Sequence, residues 1–152
     1  MRIYTTTSFQ RKYEKLCKIK KRYACLSDRL YDFVFERNLT PRGDLLYRRK
    51  ENQAEVFKAR LKSCTNNGKS YGFRMAYLIL PEYAILLEVY PKWGPKRADD
   101  ITPEGVGYLL AEALGEKDDH MLLELQANDK KKKMEFHEQV EETMIERLDE
   151  EE

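Results

Sequence analysis

At 152 residues, with 41% hydrophobic and 36% charged residues, the chain can bury one modest core in a single domain or a domain plus an appendage. No apolar run approaches the roughly 20 residues of a membrane span, and Met1-Arg2-Ile3-Tyr4 leads straight into a strand-like segment, so neither an anchor nor a signal peptide is expected and the location is read as cytoplasmic. The net charge of +1 conceals an asymmetry: residues 1–118 hold 23 Lys and Arg against 15 Asp and Glu (+8), and residues 119–152 hold 5 against 12 (−7). A basic body suggests a polyanionic partner, and an acidic end is able to compete for the same surface.

Cys17, Cys25 and Cys64 are odd in number and not closely spaced, which suits structural thiols in a reducing compartment. No Cys-x-x-Cys spacing is present and His120 and His137 are remote, so no metal ligand set and no cofactor are expected.

Arg2 to Thr5 is a short strand candidate. Thr7 and Gln10 have capping-box spacing, and Phe9, Tyr13 and Leu16 then mark the buried stripe of a helix. Leu26, Leu30, Phe33 and Val34 mark a second stripe, giving an α-hairpin that turns near Lys18 to Arg22 and ends at Asn38 and Pro41-Arg42-Gly43. Leu45 to Gln53 reads as a charged connector, in which Arg48 and Arg49 are either solvated charge or RNA contacts.

Three short apolar runs follow between Val56 and Lys92, separated by Asn66-Asn67-Gly68 and Pro81-Glu82, the pattern of an antiparallel meander. Lys58, Arg60 and Lys62 stand at i, i+2 and i+4 on its first strand, so the pleat puts all three on one face, and Arg74 on the next strand adds a fourth. Like charges on one face repel unless an anion meets them. Gly68-Lys69-Ser70 is not a phosphate-binding loop, because Ser63 stands where the first glycine belongs and no helix opens after it.

Thr102-Pro103-Glu104 opens a helix whose stripe is Val106, Leu109, Leu110 and Ala113, with Gly115 as its stop. The domain is placed at residues 1–117. Residues 118–152 read as an acidic, amphipathic helical extension, on Phe136, Val140, Met144 and Leu148 at four-residue spacing. It is either a partly exposed helix or an element that masks the basic face or forms a dimer.

The order strand, α-hairpin, meander, helix comes together with Phe57-Lys58-x-Arg60-Leu61-Lys62, Gly68-Lys69-Ser70-x-Gly72-Phe73-Arg74-x-x-Tyr77 and Tyr90-x-Lys92. In these the chain resembles the RelE/ParE superfamily of toxins from bacterial type II toxin–antitoxin modules, over roughly residues 1–115. The resemblance implies an α+β fold, RelE-like β-α-α-β-β-β-α, with an antiparallel sheet packed by an α-hairpin; the C-terminal helical extension is extra. It also implies a cognate antitoxin as partner. RelE-like members enter the ribosomal A site and cut mRNA, whereas ParE-like members act on DNA gyrase without cutting RNA. An interaction protein masked by its acidic tail is the third reading.

RNA cleavage by 2′-OH attack needs a base, cations on the developing phosphorane and a proton donor for the leaving 5′-oxygen. With both histidines in the tail, Lys, Arg and Tyr are the candidates. Lys58, crowded by cations, is a candidate base. By resemblance Lys58 and Arg60 match the family's cationic strand and Arg74 its transition-state arginine, with Tyr90 and Lys92 completing the catalytic set. Lys62, Lys69, Trp93, Arg48 and Arg49 are expected to bind RNA, Trp93 by stacking on a base. Tyr77 is expected in the core. Some members of the family end with a catalytic histidine–tyrosine pair or a C-terminal tyrosine after the last strand; the corresponding Pro91-Lys92-Trp93-Gly94 has no histidine.

Overall fold

The structure, a computed structural model, describes residues 1–65 and 71–139. Strand β1 (Arg2–Thr5) leads into helix α1 (Thr7–Cys17), a short α2 (Lys20–Tyr23) and α3 (Leu26–Tyr31), which runs on into a π-helical turn at Asp32–Glu36. Strands β2 (Asp44–Arg49), β3 (Ala54–Leu61), β4 (Phe73–Ile79) and β5 (Tyr83–Pro91) follow, then helix α4 (Pro103–Asp118) and strands β6 (Leu123–Asn128) and β7 (Lys133–His137). The seven strands form one sheet in the order β2-β3-β4-β5-β1-β6-β7. This is an α+β fold.

The α1–α3 layer covers one face of the sheet. Phe9, Tyr13, Leu16, Leu26 and Leu30 pack there on Phe57, Ala59, Phe73, Met75 and Tyr77. Helix α4 covers part of the other face, where Val106 and Ala113 meet Val56, Ala76, Leu78, Ile85 and Leu87. The central strands are buried on both sides, which explains why β4 and β5 read as continuous apolar runs.

Several expectations are corrected. The sheet is mixed, because β1 lies parallel to β5. The charged connector is strand β2, paired with β3 from Asp44↔Lys58 to Arg49↔Ala54. Helix α1 is capped by Thr6, one residue before the expected Thr7; the Thr6 hydroxyl accepts from the Phe9 N–H at 3.2 Å. Helix α4 runs past Gly115 to Asp118, and the left-handed residue that closes it is His120, at φ 56°.

The largest correction concerns the expected helical extension. Residues 123–137 form a β-hairpin whose first strand pairs antiparallel with β1, so they belong to the main sheet. Leu125 and Phe136 face the α-layer, and the Phe136 ring packs 5.6 Å from that of Tyr13. Val140, Met144 and Leu148 lie outside the described residues, as do Gly68, Lys69 and Ser70.

Cys25 and Cys64 are joined in a disulfide with Cα atoms 5.4 Å apart, and Cys17 is free. The cysteine count therefore no longer argues for a reducing compartment. Closing a loop of sequence separation 39 contributes about 4 kcal/mol by chain entropy. Among the described residues no helix is long and apolar enough to cross a membrane.

Candidate functional site

Two registers build the site. Arg60 on β3 stands opposite Arg74 on β4, and Arg74 stands opposite Tyr90 on β5. Cross-strand neighbours share a face, so Arg60, Arg74 and Tyr90 form one row on the α4 side of the sheet. Lys58, two residues before Arg60, lies on the same face. A β-bulge makes this row possible. The register shifts between Ala76 and Tyr77, so Tyr90 points to the same side as Ile85 and Leu87 although its parity differs.

Lys92 joins from just beyond β5. The loop that follows turns back over the row and delivers Asp100. Its shape is set at Gly94, whose φ of +79° favours glycine and whose missing Cβ would strike the Tyr23 hydroxyl. That hydroxyl donates to the Trp93 carbonyl at 2.6 Å and accepts from the Lys96 N–H at 3.0 Å.

One oxygen is the focus of the cluster. Asp100 Oδ1 lies 3.5 Å from Lys92 Nζ and 3.8 Å from Lys58 Nζ, and accepts from the Tyr90 hydroxyl at 3.4 Å. Lys58 is also 4.0 Å from Asp44 Oδ2, and Lys92 Nζ donates to the Ala98 carbonyl at 3.2 Å. The Lys58 side chain is 13% exposed and the Lys92 side chain 21%, against 56% for Asp100. The cations are thus half-sunk in the sheet while their counterion stands in solvent.

The surroundings push the titrating groups apart. Burial opposes ionisation of Asp100, but Lys58 and Lys92 outweigh it and hold its carboxyl below the usual value. Burial above all pushes the Tyr90 hydroxyl up to about 12. Burial, then the nearby Arg60, lowers Arg74, which still keeps its charge as guanidinium does. At neutral pH the site holds an ionised carboxylate, a protonated phenol and four cations.

Of the residues expected from sequence, Lys58, Arg60, Arg74, Tyr90 and Lys92 come together, and Lys62 follows Arg60 just past the end of β3. Arg48 and Arg49 do not join them. They sit at the far end of β2, ion-paired with Glu55 at 2.8 Å and Glu51 at 3.6 Å. Trp93 is not a stacking platform: it is 8% exposed and packs edge-on against Tyr23 of α2 and Phe73 of β4. Tyr77 is fully buried, as expected.

Lys58 has two carboxylates within reach, Asp44 at 4.0 Å and Asp100 at 3.8 Å. Asp100 and Lys12 were not foreseen. Lys12 reaches from α1 to Glu88 at 2.8 Å and lies 5.9 Å from the Tyr90 ring centre. Among the described residues no three His, Cys, Asp or Glu side chains gather closely enough to hold a metal ion.

Two largely buried ammonium groups thus share one Asp100 oxygen, at 3.5 and 3.8 Å. No family model, curated protein or solved structure matches this chain.

Proposed function

We propose that this chain is a RelE-like toxin of a type II toxin–antitoxin module that cuts mRNA on the ribosome by attack of the ribose 2′-OH on the adjacent phosphate. The observation that carries the reading is the grouping of Lys58, Arg60, Arg74, Tyr90 and Lys92 on one sheet face around the Asp100 carboxylate. The order of β1, the helical layer, the β3–β5 meander and α4 supports the same kinship, with β2 and the β6–β7 hairpin as additions.

The two groups with oppositely displaced proton affinities take the acid and base roles. Asp100, ionised at neutral pH, accepts the 2′-OH proton as the O2′–P bond forms. Tyr90, protonated, donates to the 5′-oxygen as the P–O5′ bond breaks, leaving a 2′,3′-cyclic phosphate and a 5′-OH. The proton on Asp100 then returns to Tyr90 along their hydrogen bond, restoring both groups. Arg74, Lys58 and Lys92 carry the negative charge of the phosphorane.

Expression of the chain in bacteria with mapping of transcript ends tests this. The expected result is growth arrest with new 5′-OH ends inside translated frames, both lost in Arg74→Ala. Arrest with intact transcripts and inhibited DNA supercoiling would instead identify the gyrase-directed mode and reject cleavage.

A further inference from the structure

We propose that the cavity at the open edge of β3 is a second phosphate-binding site, seating a nucleotide unit of the same single-stranded RNA next to the one held on the sheet face. The inference rests on the RNA reading above and adds Arg29, Arg37, Arg42 and Lys62 to Lys58 and Arg60, which the two sites share. Strand β2 pairs with β3 only as far as Asp44↔Lys58, whereas β4 pairs with it through Leu61↔Phe73. Residues Ala59–Leu61 therefore have no strand beside them on the β2 side among the described residues, and a strand edge left open presents unpaired backbone donors.

A cavity of about 500 Å³ opens at that edge. Arg29, Arg37, Arg42, Lys58, Arg60 and Lys62 line it, against two carboxylates, Asp32 and Asp44. Asp32 is engaged by Arg37 at 2.8 Å and Asp44 by Lys58 at 4.0 Å. Arg29, Arg42, Arg60 and Lys62 have no ion pair among the described residues, and Arg29 Nε is buried without a hydrogen-bond partner. Four uncompensated cations around one hollow call for an anion. Three of them are arginines, whose planar donor fork suits phosphate oxygens.

The walls are braced in advance. The Cys25–Cys64 disulfide ties the start of α3 to the end of β3, and Arg29 Nη2 donates to the Ser63 carbonyl at 3.3 Å. Across the hollow, the Tyr77 hydroxyl donates to the Thr40 carbonyl at 2.8 Å and accepts from the Arg42 N–H at 3.1 Å. Gly43, at φ +83°, lets the loop backbone press on the Lys58 carbonyl, where any Cβ would collide. The π-helical turn supplies Asp32 and Phe33, and such turns recur at functional sites.

Size and position select the ligand. The volume falls in the range of small-ligand sites, about 300–1,000 Å³, which is roomy for a lone phosphate and suited to a nucleotide. Lys58 and Arg60 belong to both this cavity and the sheet-face row, so one strand can bridge the two.

The test measures binding of a short 2′-O-methylated single-stranded RNA, which cannot be cut, to the full chain across salt concentrations. Arg42→Gln combined with Lys62→Gln is expected to weaken binding and to flatten the salt slope by about 0.7 for each phosphate no longer neutralised. Arg42→Lys with Lys62→Arg is expected to restore the slope, which separates charge from folding. If the Gln pair leaves affinity and slope unchanged while Lys92→Gln lowers both, the second site is wrong and the sheet-face reading stands. If the Gln pair acts and Lys92→Gln does not, the cavity stands and the sheet-face reading falls. Inorganic pyrophosphate that saturates the cavity without competing with the RNA would overturn the proposal in favour of a small-anion site.

Discussion

The α4 side of the sheet has two halves built from the same three strands. At one end Val56, Ala76, Leu78, Ile85 and Leu87 are sealed beneath α4; at the other Lys58, Arg60, Arg74, Tyr90 and Lys92 lie under a loop that contributes one exposed carboxylate. Moving two residues along β3, from Val56 to Lys58, crosses from core to site. Helix α4 packs on the Val56 end, and the Lys58 end carries charged side chains in place of apolar ones. The contrast is one of chemistry: the sealed half packs apolar side chains, and the open half sets charged and hydroxyl-bearing ones around Asp100.

The largest effects should therefore fall on different readouts. Leu87→Ala, at a position 1% exposed, is expected to cost about 2–5 kcal/mol in denaturant unfolding while the purified folded fraction keeps its RNA binding. Arg74→Ala should do the reverse, lowering cleavage about 10²–10³-fold. A fall in stability for Arg74→Ala as large as that for Leu87→Ala would erase the distinction. Lys58→Met extends the sealed character into the open half. Chemical unfolding should find its stability within about 1 kcal/mol of the parent, because the ion pairs it loses are long and face exposed acids, while cleavage falls.

The pH dependence is smaller and has a definite sign. Asp100, held low, contributes stability above its unfolded value, and this is lost as pH falls through the lower folded one. Tyr90 favours folding below its unfolded value, and that preference is lost as pH rises through about 12. Ultraviolet titration of tyrosinate and carboxyl chemical shifts read these directly. With an ionised base and a protonated acid, the cleavage rate should be flat from roughly pH 5 to 10. A bell centred near neutrality would mean that other groups carry the protons.

The part of this arrangement legible from sequence is the part set by the pleat. Period-2 spacing placed Lys58 and Arg60 together and Tyr77 in the core, and the meander followed from its apolar runs and turn residues. Trp93 was misplaced although the same parity would have turned it away, three positions on from Tyr90. Strand β2 was hidden because it is exposed on both faces, with Leu45 44% and Tyr47 39% exposed, so no alternation marks it. In the hairpin, Leu123 and Leu125, then Met134 and Phe136, do alternate around Lys130 to Lys133. The four-residue spacing from Phe136 onward suggested a helix and masked that signal. Asp100 sits in a loop with no period at all, and a disulfide spanning 39 positions leaves no local trace.

Cleavage of ribosome-bound mRNA by the purified chain, set beside Asp100→Asn and Tyr90→Phe, tests the open half most directly. The parent should leave 2′,3′-cyclic phosphate ends, and each variant should cut far more slowly while still binding the RNA. Equal cutting by all three, or no cutting by the parent under conditions where it binds, would contradict the assignment of this face to RNA cleavage.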